Sequence, residues 1–171
     1  MNPFEISTKP FTVFITDPFE KNPLPESLFD LVIRTSSAKS AREDIASAIF
    51  NICMQVSNTS EIVLVAQERS GTLLPGVGNG LRASYRNLAG YIFIDATLPV
   101  GSTVAPRNAQ VLEHYFDSLP LVEDWPNAPV VYIKTMEDAN SWFEQAKIRG
   151  WKTISDNIEI AFPSAIKIIS G

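Results

Sequence analysis

The sequence contains only one cysteine, Cys53, and only one histidine, His114. A lone cysteine cannot form an internal disulfide bond, and these two residues cannot supply the ligands of a Cys/His zinc site. Any mechanism that depends on histidine must therefore use His114. Cys53 lies in an apolar helical pattern, which favours a small buried side chain over a reactive thiol.

The chain also lacks a long apolar run and an excess of basic residues. No apolar stretch approaches the roughly 20 residues that span a bilayer, and the N-terminal "MNPFEISTKPF" has no signal-peptide pattern. With 14 basic and 19 acidic residues, the net charge of -5 works against binding to a phosphate backbone. We expect a soluble, cytoplasmic protein with no nucleic-acid or membrane partner, folded as a single domain over residues 1–171.

Short β-rich runs alternate with helical patterns along the chain. Most of these runs are continuously apolar, which is typical of strands buried on both faces of a parallel sheet. The sequence therefore predicts an α/β fold, with a doubly wound, mainly parallel sheet of about six strands flanked by helices. The predicted strands cover residues 11–16, 29–34, 62–66, 91–95, 130–134 and, more weakly, 152–155.

The clearest helix signal is Ser-Ala-Arg-Glu at positions 40–43, which matches a capping box. Apolar residues follow at spacings of three and four, so one face of this helix should lie against the sheet. Further helices are predicted over 136–149, around 108–117 and from Pro163 onward. Three glycines weaken the helix prediction for 73–81.

The stretch "VLVAQERSG", residues 63–71, begins as a buried strand and ends as a tight turn into a helix. In open α/β sheets, ligands bind beyond the carboxyl ends of the strands, and Glu68 lies just past such an end. A strand, a sharp turn and a helix are also the geometry of the nucleophile elbow. We predict a sharp backbone bend between Ala66 and Gly71 with Glu68 at its tip.

A family resemblance rests on two linked segments. "VLVAQERSGTLLPGVGNGL" followed by "LAGYIFIDATLP" resembles small α/β-hydrolase-fold proteins with a "VLVGHSxAGxLLP" elbow and a later "VxGxVFVDAxLP". Weaker likeness in "FTVFITDPF" and "SWFEQAKIRGWKTISDN" extends it over most of the chain. The resemblance implies a truncated α/β-hydrolase-like fold with little or no cap and a shallow or open pocket, unless a second subunit covers it.

The resemblance also implies a degenerate catalytic triad. Laid against Gly-x-Ser-x-Gly, the chain reads Ala-Gln-Glu-Arg-Ser at 66–70, which places Glu68 at the serine position. Asp156 or Asn157 stands nearest to the position of the family's histidine. Asp95 is either the acidic partner of the triad or a structural acceptor for loop amides. The candidate catalytic residues are therefore Glu68, Asp95 and Asp156.

Candidate oxyanion- or ligand-binding residues are Asp17, Gln67 and Arg69. In "TDPF", Asp17 precedes Pro18, and this segment is expected to offer a backbone amide beside the Arg69 amide, so that an oxyanion-binding corner survives without a serine. His114 falls where the family carries variable lid helices, which favours a structural or solvated histidine over a catalytic one.

These features leave several functions open. The first is binding of a small, largely apolar molecule near Glu68, with Glu68 as a general base for non-hydrolytic lyase, isomerase or cyclase chemistry. The second is a catalytically inactive interaction subunit, with homo-oligomerisation open, and the third is a hydrolase that uses Glu68 as carboxylate nucleophile. No cofactor or metal is expected. One further alternative uses Asp17, Glu68, Asp95 and Asp156 as oxygen ligands for Mg²⁺ or Ca²⁺.

Overall fold

The computed structural model describes residues 9–19, 24–99 and 113–171. Within these residues the chain forms one six-stranded sheet in which every neighbouring pair of strands is parallel. The strands are β1 (Phe11–Ile15), β2 (Leu31–Ile33), β3 (Glu61–Gln67), β4 (Asn87–Ile94), β5 (Val130–Lys134) and β6 (Lys152–Ser155). Their spatial order is β2-β1-β3-β4-β5-β6. The predicted parallel α/β sheet is confirmed, with strand ends within a few residues of the prediction.

The helices of the described part follow the strands in alternation. They are α1 (Ala41–Gln55), α2 (Leu74–Ala83), α3 (Glu113–Phe116), α4 (Asn140–Ile148) and α5 (Ile158–Ser170). No helix among them is both long and apolar enough to cross a membrane. The predicted helix around 108–117 is seen only as α3, because residues 100–112 lie outside the described part.

Helices cover both faces of the sheet, as a doubly wound fold requires. On one face, Ile45 and Ile52 of α1 pack with Val77 of α2 and Phe143 of α4 in one apolar cluster. On the other face, a second cluster joins α5 to the strands. β3 lies at the centre of this arrangement, and its residues from Ile62 to Gln67 are all buried.

Helix α1 begins where the capping box predicts. The Ser40 hydroxyl accepts the Glu43 amide at 3.2 Å, and the Glu43 carboxylate accepts the Ser40 amide at 3.3 Å. Cys53 is half-buried and packs against the core of this face. The predicted apolar stripe of α1 therefore contacts the sheet and α2.

One weak helix prediction holds, and the start of another helix needs correction. Residues 74–83 do form a helix, and its glycines serve close packing: a Cβ on Gly78 would lie 2.1 Å from the Tyr91 hydroxyl oxygen. The terminal helix begins at Ile158, five residues before Pro163, because the Asn157 side chain caps it by accepting the Ile160 amide at 3.1 Å. Burial of Phe162 and its neighbours against the sheet offsets the hydrogen bond that Pro163 cannot make.

Candidate functional site

The predicted elbow is present at the carboxyl end of β3. Glu68 follows the strand directly with φ 53°, and a 3-10 turn, Glu68–Leu73, leads from it into α2. A non-glycine residue in this left-handed region costs on the order of 1–2 kcal/mol, so surrounding contacts must hold it there. Glu68 is half-buried, at the edge of the sheet where ligands bind in open α/β folds.

The loop after β4 holds the elbow in place. The Thr97 amide donates to the Glu68 carbonyl at 2.8 Å. A Cβ on Gly71 would lie 2.2 Å from the Thr97 carbonyl oxygen, so only glycine allows the two segments to approach this closely. The strained backbone of Glu68 is therefore fixed from a neighbouring strand end.

Asp95, at the end of β4, is a buried acceptor for the loop after β5. Its Oδ1 accepts the Thr135 amide at 2.7 Å and the Met136 amide at 3.2 Å, and its Oδ2 accepts the Thr135 hydroxyl. Asp95 also has a positive φ of 48°. This geometry matches the structural alternative for Asp95, because both carboxylate oxygens are engaged by the same loop.

Tyr132 of β5, which no sequence pattern indicated, completes this network. Its hydroxyl donates to the Ala96 carbonyl at 2.6 Å, which fixes the residue between Asp95 and Thr97. Burial raises the pKa of Tyr132 above its ordinary value, and the negative charges of Asp95 and Glu68 raise it further. The Glu68 carboxylate therefore lies within electrostatic reach of a buried, neutral phenol.

Asp17 occupies the amide that would serve an oxyanion-binding corner. The Arg69 amide donates to Asp17 Oδ2 at 3.3 Å, and the Phe19 amide donates to Asp17 Oδ1 at 2.7 Å. The Asp17 side chain is 2% exposed. The Arg69 amide, which the predicted oxyanion-binding corner would use, therefore already donates to an internal carboxylate.

The Arg69 side chain strengthens the same contact. Its Nε lies 3.4 Å from the Asp17 carboxylate, and its guanidinium carbon lies 4.6 Å from the centre of the Phe19 ring. Its Nη2 is buried without a hydrogen-bond partner in the part of the chain that the structure describes. Phe19 in turn packs edge-on against Tyr115 of α3, with ring centres 5.7 Å apart.

Helix α3 is anchored over this corner by a buried pair. The Tyr115 hydroxyl donates to Asp44 Oδ2 at 2.7 Å, and this oxygen also accepts the Ser36 amide at 3.1 Å. Burial and the Asp44 carboxylate together raise the pKa of Tyr115, so the phenol stays neutral. His114, on the same short helix, points to solvent at 90% exposure and pairs with Asp117 at 3.6 Å.

Gln67 and Ser70 hold the turn together. Ser70 is fully buried, and its Oγ accepts the Gln67 amide at 3.0 Å and lies 2.8 Å from the Ile15 carbonyl oxygen. Gln67 is 3% exposed. These contacts join the ends of β1 and β3, and they give Ser70 a structural role rather than that of a nucleophile.

The other predicted residues are dispersed. Asp156 is exposed and accepts the neighbouring Asn157 amide at 2.8 Å, while Asn157 caps α5. Of the two residues nearest to the expected histidine position, Asn157 therefore starts a helix and Asp156 precedes it at the surface. The metal alternative is not supported, because no group of three or more Asp, Glu, His or Cys side chains that could hold a metal occurs within 9–19, 24–99 and 113–171.

Solved structures with the same fold include two esterase-type proteins. The NocB thioesterase domain, in covalent complex with a fluorophosphonate nocardicin G analog, matches with a TM-score of 0.55 and 13% identity, over 95% of each chain. A structure of arylesterase matches with a TM-score of 0.51 and 10% identity, over 87% of this chain and 67% of that chain. No protein-family model and no curated protein sequence matches this chain. The chain has a small α/β-hydrolase fold, as the resemblance implied.

Proposed function

We propose that this α/β-hydrolase-like protein binds a small, largely apolar molecule beside Glu68 and does not hydrolyse esters. The proposal rests mainly on the hydrogen bond that the Arg69 amide donates to the Asp17 carboxylate. In a serine hydrolase, the amide after the nucleophile stabilises the negative oxygen of the tetrahedral intermediate. A substrate oxyanion here would meet a carboxylate of the same sign instead, and this repulsion disfavours acyl transfer.

The loss of a Ser-His triad is the second part of the proposal. Glu68 takes the strained position of the nucleophile, and the resemblance puts no histidine near it. Its position suits a general base, because a half-buried carboxylate just past the carboxyl end of β3 lies where a ligand binds in open α/β folds. Proton transfer, elimination or cyclisation on a bound ligand would require neither the serine nor the histidine of a triad.

An inactive interaction subunit is the second candidate, and one surface favours it. Phe50 and Met54 lie one turn apart on α1 and are 64% and 70% exposed. Two large apolar side chains on one exposed helix face are typical of a contact surface. This candidate needs no chemistry at Glu68.

Ester hydrolysis is tested with p-nitrophenyl butyrate. We expect wild type and Glu68→Gln to release p-nitrophenol at the same rate as buffer. Turnover that Glu68→Gln abolishes would contradict the proposal and favour a carboxylate nucleophile, which mass spectrometry would then detect as a covalent acyl adduct on Glu68. Asp17→Asn is the matched variant: it keeps the side-chain shape and tests whether the internal carboxylate suppresses hydrolysis.

Ligand binding is tested separately with the neutral apolar dye Nile red, whose fluorescence rises in an apolar site. We expect saturable binding to wild type and affinity reduced by about tenfold or more in Glu68→Trp, which places a bulky side chain at the proposed binding position. Glu159→Gln, an exposed change at the start of α5, should leave binding unchanged. Wild-type protein that binds no dye would contradict the binding proposal, and the inactive interaction subunit would be the remaining candidate.

A further inference from the structure

A second concave site lies apart from the elbow. A cleft of about 490 Å³, open on one side, is lined by Pro99, Trp125, Pro126, Arg149 and Trp151. None of the elbow residues lines it. Its volume falls within the roughly 300–1,000 Å³ of sites that bind small molecules.

Aromatic rings form the walls of this cleft. Trp125 and Trp151 meet edge to face, with ring centres 5.6 Å apart. Both rest on Phe93 of β4, which stacks on Trp151 at 5.6 Å and meets Trp125 edge-on at 5.9 Å. The indoles are thus held on a fully buried strand residue and keep part of their surface open to the cleft. Such a rigid surface suits a flat apolar ligand.

Arg149 supplies the charge at this site. Its guanidinium carbon lies 5.1 Å from the centre of a Trp151 ring, and its Nη1 donates to the Pro99 carbonyl at 2.9 Å. These two contacts orient the planar guanidinium at the rim of the cleft and engage one of its five N–H donors within the described residues. The side chain is otherwise exposed, and the desolvation of its buried part lowers the pKa of Arg149 below the ordinary value.

We propose that this cleft binds a small planar aromatic carboxylate, with its ring against Trp125 and Trp151 and its carboxylate on Arg149. The protein carries a net charge of -5, so an anion is repelled by the molecule as a whole and depends on this local cation. A guanidinium fork matches a carboxylate with two parallel hydrogen bonds. The site neither includes Glu68 nor rests on the function proposed there.

Quenching of tryptophan fluorescence by 4-nitrobenzoate and by its neutral analogue 4-nitrobenzamide tests the proposal. The two probes share ring and size and differ in charge. We expect saturable quenching of wild type by the carboxylate, with affinity about tenfold higher than for the amide. Arg149→Gln should remove this preference and Arg149→Lys should keep part of it. Arg82→Gln, which removes an exposed arginine of α2, should leave the preference intact.

Several results would overturn the proposal. The proposal is overturned if wild type binds the two probes with equal affinity, or if the carboxylate gives no saturable quenching. Neither result needs a variant, so both remain decisive even if Arg149→Gln folds poorly. A preference that survives in folded Arg149→Gln, as judged by circular dichroism, also overturns the proposal. A preference that is lost in folded Arg69→Met and kept in Arg149→Gln would move the carboxylate to the elbow, where Arg69 is the cation, and reject this cleft.

Discussion

The contact between Asp17 and Arg69 lets us predict how much each side chain contributes to the free energy of unfolding. The two side chains are 2% and 14% exposed, and Arg69 Nε lies 3.4 Å from the carboxylate. At an effective dielectric constant of about 20, their attraction is roughly 5 kcal/mol before desolvation. Breaking such a buried pair leaves one charge unpaired, which costs about 3–5 kcal/mol. We expect Asp17→Asn to cost about 3 kcal/mol and Arg69→Met somewhat less, because the Arg69 and Phe19 amides still bind the remaining carboxylate.

A double-mutant cycle by urea denaturation measures this contact. The free energy of unfolding of the double variant should fall short of the sum of the two single losses by about 2 kcal/mol. Arg34 and Glu26 form the control pair: their side chains are 62% and 52% exposed, so their coupling should stay below about 1 kcal/mol. A coupling for Asp17 and Arg69 below about 0.5 kcal/mol, with unchanged m-values, would refute the stabilising ion pair between these two side chains.

Two further predictions concern the elbow and the core. Gly71→Ala puts a Cβ 2.2 Å from the Thr97 carbonyl oxygen and should cost about 2–4 kcal/mol. Gly76→Ala meets only side-chain atoms, of Ile45 at 2.9 Å and Pro120 at 3.1 Å, and should cost less; equal losses would contradict the packing reason. Burial raises the pKa of Tyr91 from 10.0 to about 12. Because its folded-state pKa is the higher one, its contribution is complete below pH 10 and falls towards pH 12 by about 1.4 kcal/mol per pH unit. Tyr91→Phe should flatten this alkaline decline in urea titrations, and an unchanged slope would rule out Tyr91 as its source.

Local patterns explain why much of the fold was predictable. The sheet follows from the sequence because parallel strands buried on both faces are continuously apolar. The start of α1 follows because a capping box is a local pattern of four consecutive residues. Helix α2 was underestimated because propensity counts the cost of its glycines, whereas the close approach of Tyr91 to Gly78 exists only in the folded chain. The predicted start of α5 at Pro163 lies too late, because the Asn157 side chain caps the helix and it begins at Ile158.

The candidate site was likewise predictable only where its residues are adjacent in sequence. The bend at Glu68 was predictable because strand, turn and helix are adjacent in sequence. The contact of Asp17 with the Arg69 amide joins residues 52 positions apart, and that of Tyr132 with the Ala96 carbonyl joins residues 36 positions apart. No periodicity or spacing pairs such residues, so the sequence alone indicated an open oxyanion corner where the folded chain places a carboxylate.

The outermost strands of the sheet bear on how copies of this chain can associate. β2 has three residues and β6 has four, and β6 carries exposed Lys152 and Ser155 at its ends. Edges this short give an incoming strand few backbone groups to pair with, and a flanking lysine repels a hydrophobic one. Assembly by extension of these two strands is therefore disfavoured, whereas Phe50 and Met54 of α1 offer an exposed apolar contact on the helical layer.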